Sequence, residues 1–205
     1  MRIIAGQRRG HKFDGPTGNA TRPTSDLVRE SLFNILGEAV PGLVVVDLFA
    51  GTGALGLEAL SRGAARAIFV EQNRENVALI HRNLATLRYE DRAIVLATDV
   101  FRWARAFDPI DDEPMVVFLD PPYREYENHP RRVNELLQQL VRKLPAGSIL
   151  AVEASRALDD DILSDRAAWD VRRYGGTQIA IRTLAGPGEP TSSPDPVGEP
   201  SDASP

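Results

Sequence analysis

Along the chain, short unbroken apolar runs alternate with stretches in which apolar residues return every three or four positions. Leu43 to Phe49, Arg66 to Glu71, Ala93 to Ala97, Met115 to Leu119 and Gly147 to Glu153 are of the first kind. Runs this short, rich in β-branched residues, predict strands buried on both faces. Between them, Asn73 to Leu87 carries Val77, Ile80, Leu84 and Leu87 along one stripe, with Asn73 placed to cap it, and Val133 to Leu144 is also amphipathic. Ahead of the first strand, Leu27, Val28, Leu32, Ile35 and Leu36 recur at helical spacing from Ser25 to Gly37. Thr24 or Ser25 can cap this helix and Gly37 can end it. Trp169 to Tyr174 and Thr177 to Thr183, split by Gly175-Gly176, predict a closing antiparallel hairpin. Strands alternating with helices and ending in a hairpin predict an α/β fold, with a mostly parallel seven-stranded sheet covered by helices on both faces.

The two ends break the alternation. Residues 1–23 hold Arg2, Arg8, Arg9, Lys12 and Arg22 against the single acid Asp14, with glycines between short apolar pieces. This predicts a basic N-terminal hairpin arm whose cations neutralise phosphates. Arg22, Thr24, Arg29 and Asn34 lie on or near the first helix, where periodicity alone leaves them open as solvent-facing positions. The candidate substrate-binding set is Arg2, Arg8, Arg9, Lys12, Arg22, Thr24 and Arg29. Residues 185–205 interleave prolines with Ser, Gly and acids and hold too few apolar residues to fold. A disordered tail, dispensable for chemistry, is expected there, after a main domain over residues 24–184.

Composition narrows the chemistry. A chain of 205 residues, 42% hydrophobic, can bury one sizeable core. It has no cysteine, and its three histidines are scattered, so no disulfide framework or metal site is implied. The N-terminus lacks an apolar signal core, and no apolar stretch approaches the length of a bilayer, so a cytoplasmic protein without membrane contact is expected. The net charge of -5 speaks against nucleic acid only as an average. Glu189, Asp195, Glu199 and Asp202 lie beyond Gly186 with no basic residue among them, so the body is nearly neutral.

Candidate chemistry collects at strand ends. Asp47-Leu48-Phe49-Ala50-Gly51-Thr52-Gly53 closes the first strand and opens a helix, and such glycines let backbone approach a ligand beside unpaired helix N–H groups. Gly51, Gly53 and Gly56 also fit a dinucleotide fingerprint, with Glu71 about twenty residues on as a ribose acceptor. An acid at Asp47 would repel a pyrophosphate, and it suits a cofactor with a sulfonium and an α-amino group better. Asp99 ends the third strand, where it can accept from an adenine amine beside Val100 or simply cap a helix. Asp120-Pro121-Pro122-Tyr123 follows the fourth strand. Two prolines fix φ, which is expected to leave their carbonyls as acceptors beside Asp120, with Tyr123 as an aromatic face. That set suits a planar group bearing an amine.

Five blocks carry a resemblance to a known family. They are Met1-Arg2-Ile3-Ile4-Ala5-Gly6, Thr21-Arg22-Pro23-Thr24, the segment Val28 to Leu36, Asp47 to Gly53, and Asp120 to Tyr123. Through them residues 1 to about 184 resemble the Rossmann-like class I S-adenosylmethionine-dependent methyltransferases, and more closely the bacterial 16S ribosomal RNA guanine-N2 methyltransferases of the RsmD type. The resemblance implies S-adenosylmethionine as cofactor, held by Asp47, Phe49, Gly51, Gly53, Glu71, Gln72, Asp99 and Val100. It implies that Asp120, Pro121, Pro122 and Tyr123 receive a flipped guanine. The partner implied is 16S rRNA in the small ribosomal subunit or its assembly intermediate, met by a monomer. The acidic tail lies outside that pattern. An amino-methyltransferase acting on DNA adenine or another RNA, and a non-catalytic RNA-binding assembly factor, are the alternatives. A nicotinamide-linked oxidoreductase leaves the Asp-Pro-Pro-Tyr segment without a use.

Overall fold

Side chains on a strand point alternately to its two faces, so a strand that is apolar throughout must be covered on both. The computed structural model, which describes residues 1–16, 26–109, 111–154, 158 and 161–185, meets this requirement with two cores. The strands are β1 (Val44–Leu48), β2 (Arg66–Glu71), β3 (Ala93–Ala97), β4 (Met115–Leu119), β5 (Ile149–Ala154), β6 (Asp170–Tyr174) and β7 (Thr177–Thr183). They form one sheet in the order β3-β2-β1-β4-β5-β7-β6, parallel except for β7, which runs antiparallel to both β5 and β6.

Helices α1 (Asp26–Leu36), α2 (Ala54–Ser61) and α3 (Arg74–Leu87) share a core with Val45, Phe69, Val116, Phe118 and Ala151. Helices α4 (Val100–Ala106), α5 (Tyr123–Asn128) and α6 (Pro130–Lys143) cover the other face through Val46, Leu48, Val117, Leu119 and Leu150. The expected mostly parallel seven-stranded sheet with a terminal antiparallel hairpin is therefore present. No helix among the described residues is long and apolar enough to cross a membrane.

Two local expectations change. Residues 124–130 read as a polar loop, yet α5 forms from Tyr123, and α6 starts at Pro130 rather than near Val133. Of α5 only Tyr126 is buried, with its hydroxyl donating to the Glu153 carbonyl at 2.8 Å, so this helix leaves no apolar period to read. Pro130 occupies the first helical position, where its missing N–H costs nothing.

The N-terminal arm is hairpin-like, with one bridge between Arg2 and Lys12, but it is not loose. The Glu58 carboxylate on α2 accepts from the amides of Ile4 and Ala5 at 2.8 and 3.0 Å. Ser61 holds the turn, its hydroxyl donating to Ala5 O and its carbonyl accepting from Gln7 N. Gly6 makes this approach possible. Its φ is +82°, and a Cβ there would lie 1.9 Å from the Ser61 carbonyl oxygen. Gly6→Ala is expected to cost about 2–3 kcal/mol by undocking the arm. Hydrogen exchange checks this, with protection lost at the Ile4 and Ala5 amides. Unchanged protection would mean that Ser61 can give way.

Candidate active site

In an open α/β sheet the crevice opens where successive connections leave in opposite directions, at the C-terminal ends of the strands. Here that point lies between β1, whose chain passes to β2, and β4, whose chain passes to β5. The acids expected to be functional all stand along this edge. Asp99 follows β3, Glu71 ends β2, Asp47 lies in β1 and Asp120 follows β4. At about 4.8 Å per strand, the line from β3 to β4 spans roughly 14 Å.

The turn after β1 is built for close approach. Phe49, Gly51 and Gly53 have φ of 61°, 54° and 79°, and the amide of Gly53 closes the turn on Ala50 O at 2.7 Å. A left-handed conformation at a residue as bulky as Phe49 is strained, of order ~1–3 kcal/mol. Glu71 supports the turn from β2, accepting from Gly51 N at 2.9 Å and Asn73 N at 2.7 Å. Gln72 beside it is exposed.

Asp47 is 2% exposed, and its Oδ2 accepts from the amide of Gly56 in the first turn of α2 at 2.9 Å. It thus ties strand to helix. Burial pushes its carboxyl up to about 8, with the charges of Asp120 and Glu71 adding to the rise. Two neighbouring acids that add to the cost of ionising Asp47 suit a ligand carrying a cationic centre and disfavour a pyrophosphate.

Gly56 is the glycine that helix packing least tolerates losing. A Cβ there would sit 2.3 Å from Phe69 Cε1, and Phe69 is fully buried. Gly56→Ala is expected to destabilise by about 2–3 kcal/mol through overpacking. In a thermal melt this should lower Tm by roughly 5–10 °C, and a drop under a degree or two would contradict it.

Asp99 adopts the capping geometry, its Oδ1 accepting from Arg102 N at 2.8 Å at the start of α4. Val100 faces the core beside Phe101 rather than open space. At β4, the amide of Asp120 lies 3.5 Å from Leu48 O and its side chain is half-buried. Pro121 is buried and Pro122 exposed, while Tyr123 presents an aromatic ring at 51% exposure. The expectation that both proline carbonyls stay outside a helix is corrected at one position. Pro122 O accepts from Glu125 N at 2.8 Å, because proline lacks a donor but keeps its acceptor, and α5 begins directly after it.

The substrate set divides. Arg9 and Lys12 are exposed, and Arg2 is exposed but paired with Asp26 at 3.1 Å. Arg8 donates to Leu87 O at the end of α3, which places the arm's turn against the helix ends remote from Asp120. Arg29 is corrected most. It is fully buried, donating to Arg2 O at 2.6 Å and to Asp26 at 3.0 Å, with Nε 3.8 Å from Glu58. Burial lowers its pKa while Glu58 and Asp26 oppose the fall. A guanidinium so placed anchors the arm to α1 and α2 and cannot meet a phosphate. Arg22 and Thr24 lie outside the described residues.

Sequence reading missed Asn83, whose amide spans Asp14 O and Thr52 O at 3.1 Å each and joins the arm to the glycine turn. It also missed Glu58, an acid inside an apolar helix and the one available signal of a buried partner.

The family described as conserved hypothetical protein 95 matches residues 1–183. Ribosomal RNA small subunit methyltransferase D of Escherichia coli strain K12 is 37% identical over 187 residues, covering 89% of this chain and 88% of that protein. A solved hypothetical protein of Thermus thermophilus superposes with a TM-score of 0.68 at 25% identity, over 90% of this chain and 99% of its own. An RNA methyltransferase of Salinibacter ruber, solved with S-adenosyl-L-homocysteine, shares the fold with a TM-score of 0.59 at 18% identity, over 87% of this chain and 100% of its own.

Proposed function

The chain belongs to the conserved hypothetical protein 95 family, of the RsmD type of ribosomal RNA methyltransferases, and from this premise we propose its reaction in full. It transfers a methyl group from S-adenosylmethionine to the exocyclic N2 amine of a guanine in 16S rRNA, acting as a cytoplasmic monomer on the small subunit or its assembly intermediate. The observation that carries this reading is the acid-lined edge, where Asp47 stands beside Glu71 and Asp120 and an exposed Tyr123 follows two prolines. These donors and acceptors fit the cofactor. Carboxylates meet hydroxyls, an amine and a cationic centre, and the glycine turn leaves backbone accessible to them.

When bound, S-adenosylmethionine supplies a methyl already activated by its sulfonium. Glu71 would accept from the ribose hydroxyls, Asp99 from the adenine amine, and Asp47 would meet the α-ammonium group. Gly51 and Gly53 keep the turn free of side chains, while Phe49 supplies apolar backing. Asp120 and the Pro121 carbonyl would accept from the guanine amine, turning its lone pair out of conjugation and toward the methyl. Positioning of this kind can supply roughly 7–11 kcal/mol of a barrier. Asp120 also stands where the proton released from nitrogen can be received. Tyr123 would stack on the flipped base, worth about 1–3 kcal/mol.

The test is transfer of labelled methyl to small subunits from cells lacking the protein, followed by nucleoside analysis. N2-methylguanosine in 16S rRNA is expected. Label in ribosome-depleted DNA instead would move the assignment to a DNA amino-methyltransferase.

A further inference from the structure

Arg132 lies in the first turn of α6, which follows Asp120 and α5 in the chain, and it meets residues just after β3, at the other end of the crevice. Its guanidinium carbon sits 3.7 Å from the centroid of the Phe101 ring, and Nη2 is 3.7 Å from Asp99 Oδ1. Phe101 in turn meets Phe49 edge-on, with centroids 5.7 Å apart, just before the glycine turn. We infer that Arg132 is a positioning residue for Asp99 and makes that carboxylate selective for the amine of adenine. The inference rests on the reading of Asp99 as the acceptor for that amine.

The physical argument concerns the freedom of Asp99. Its Oδ1 already accepts from Arg102 N as a helix cap, a role that a carboxylate fills in more than one rotation. Arg132 adds a second attraction on the same oxygen from a planar group that lies over Phe101, so it biases the carboxylate toward the rotation it holds beside that ring. An ionised carboxylate accepts only. It favours the amine of adenine and repels the carbonyl oxygen that replaces it in hypoxanthine. Without Arg132 the acid keeps its cap but loses the constraint on where its other oxygen points.

The experiment compares binding of S-adenosylhomocysteine with its inosine counterpart, in which an oxygen replaces the adenine amine, by calorimetry on the full chain. The wild type is expected to prefer the adenine form clearly. Arg132→Ala should weaken that form about fivefold while changing the inosine form little, so the preference shrinks. Arg132→Lys should recover part of it, restoring charge without the stacking plane. Equal weakening of both ligands, or a lowered Tm with the preference intact, would make Arg132 a structural residue only and overturn the inference. A wild type that binds both alike overturns it by removing the role of Asp99. A wild type that binds neither overturns the cofactor assignment with it.

Discussion

Asp120→Ala is expected to lower kcat for methyl transfer by about a hundredfold or more while leaving S-adenosylhomocysteine affinity within about twofold. The separation follows from position. Asp120 leaves β4, one strand beyond the glycine turn, whereas the groups proposed to hold the cofactor lie on or just after β1, β2 and β3. Loss of a group that orients and deprotonates the nucleophile costs roughly 10²–10⁴-fold in rate. Single-turnover transfer with equilibrium dialysis on the same preparation reads both quantities. Asp120→Asn keeps an oxygen to accept from the amine but cannot take up its proton, so it should fall between wild type and Ala. A variant that lost ligand binding and kept its turnover rate at saturation would place Asp120 with the cofactor instead.

The second large effect is a trade of stability against binding at Asp47. Its folded carboxyl stands at about 8 against an ordinary 3.8, chiefly from burial. Between those two values the folded protein holds a proton that the unfolded chain has released, so stability falls as pH rises across the window. Above the folded value the cost of keeping the acid ionised is on the order of 5 kcal/mol. Asp47→Asn keeps an oxygen for the Gly56 amide and carries no charge. It should match the wild type near pH 4 and exceed its stability by several kcal/mol at pH 8. Denaturant titrations at the two pH values measure this. At a pH above 8, where the folded acid is ionised, the same substitution should weaken S-adenosylhomocysteine binding about tenfold, because the α-ammonium group loses its counter-charge. Unchanged affinity would leave Asp47 as the tie between β1 and α2 and nothing more.

Burial of this kind is also why the sequence and the structure part company over particular residues. Asp47, Glu71, Asp99 and Asp120 are recognisable because each breaks or ends an apolar run, and a polar residue there needs a reason. The closing hairpin is recognisable from two glycines between strand patterns. Arg29 gives no such sign. On a helix whose stripe is carried by Val28, Leu32, Phe33 and Leu36, a basic residue reads as outward-facing until Glu58 and Arg2 are known to lie over it. The short α5 is hidden for a related reason, since its helicity rests on its local start after Pro122 and on Tyr126 rather than on a period.

The sequence by itself determined the strands, the longer helices, the two-faced sheet and the residue types at the strand ends, because these depend on neighbours a few positions apart. Tertiary structure alone decided which charges meet. It brought four acids from four separate strand ends to one edge, docked the basic arm through Glu58 and Ser61, and turned the Gly56 amide onto Asp47. Most of these pairings join groups far apart in the chain, and the energies of all of them depend on distance and burial, which no local pattern encodes.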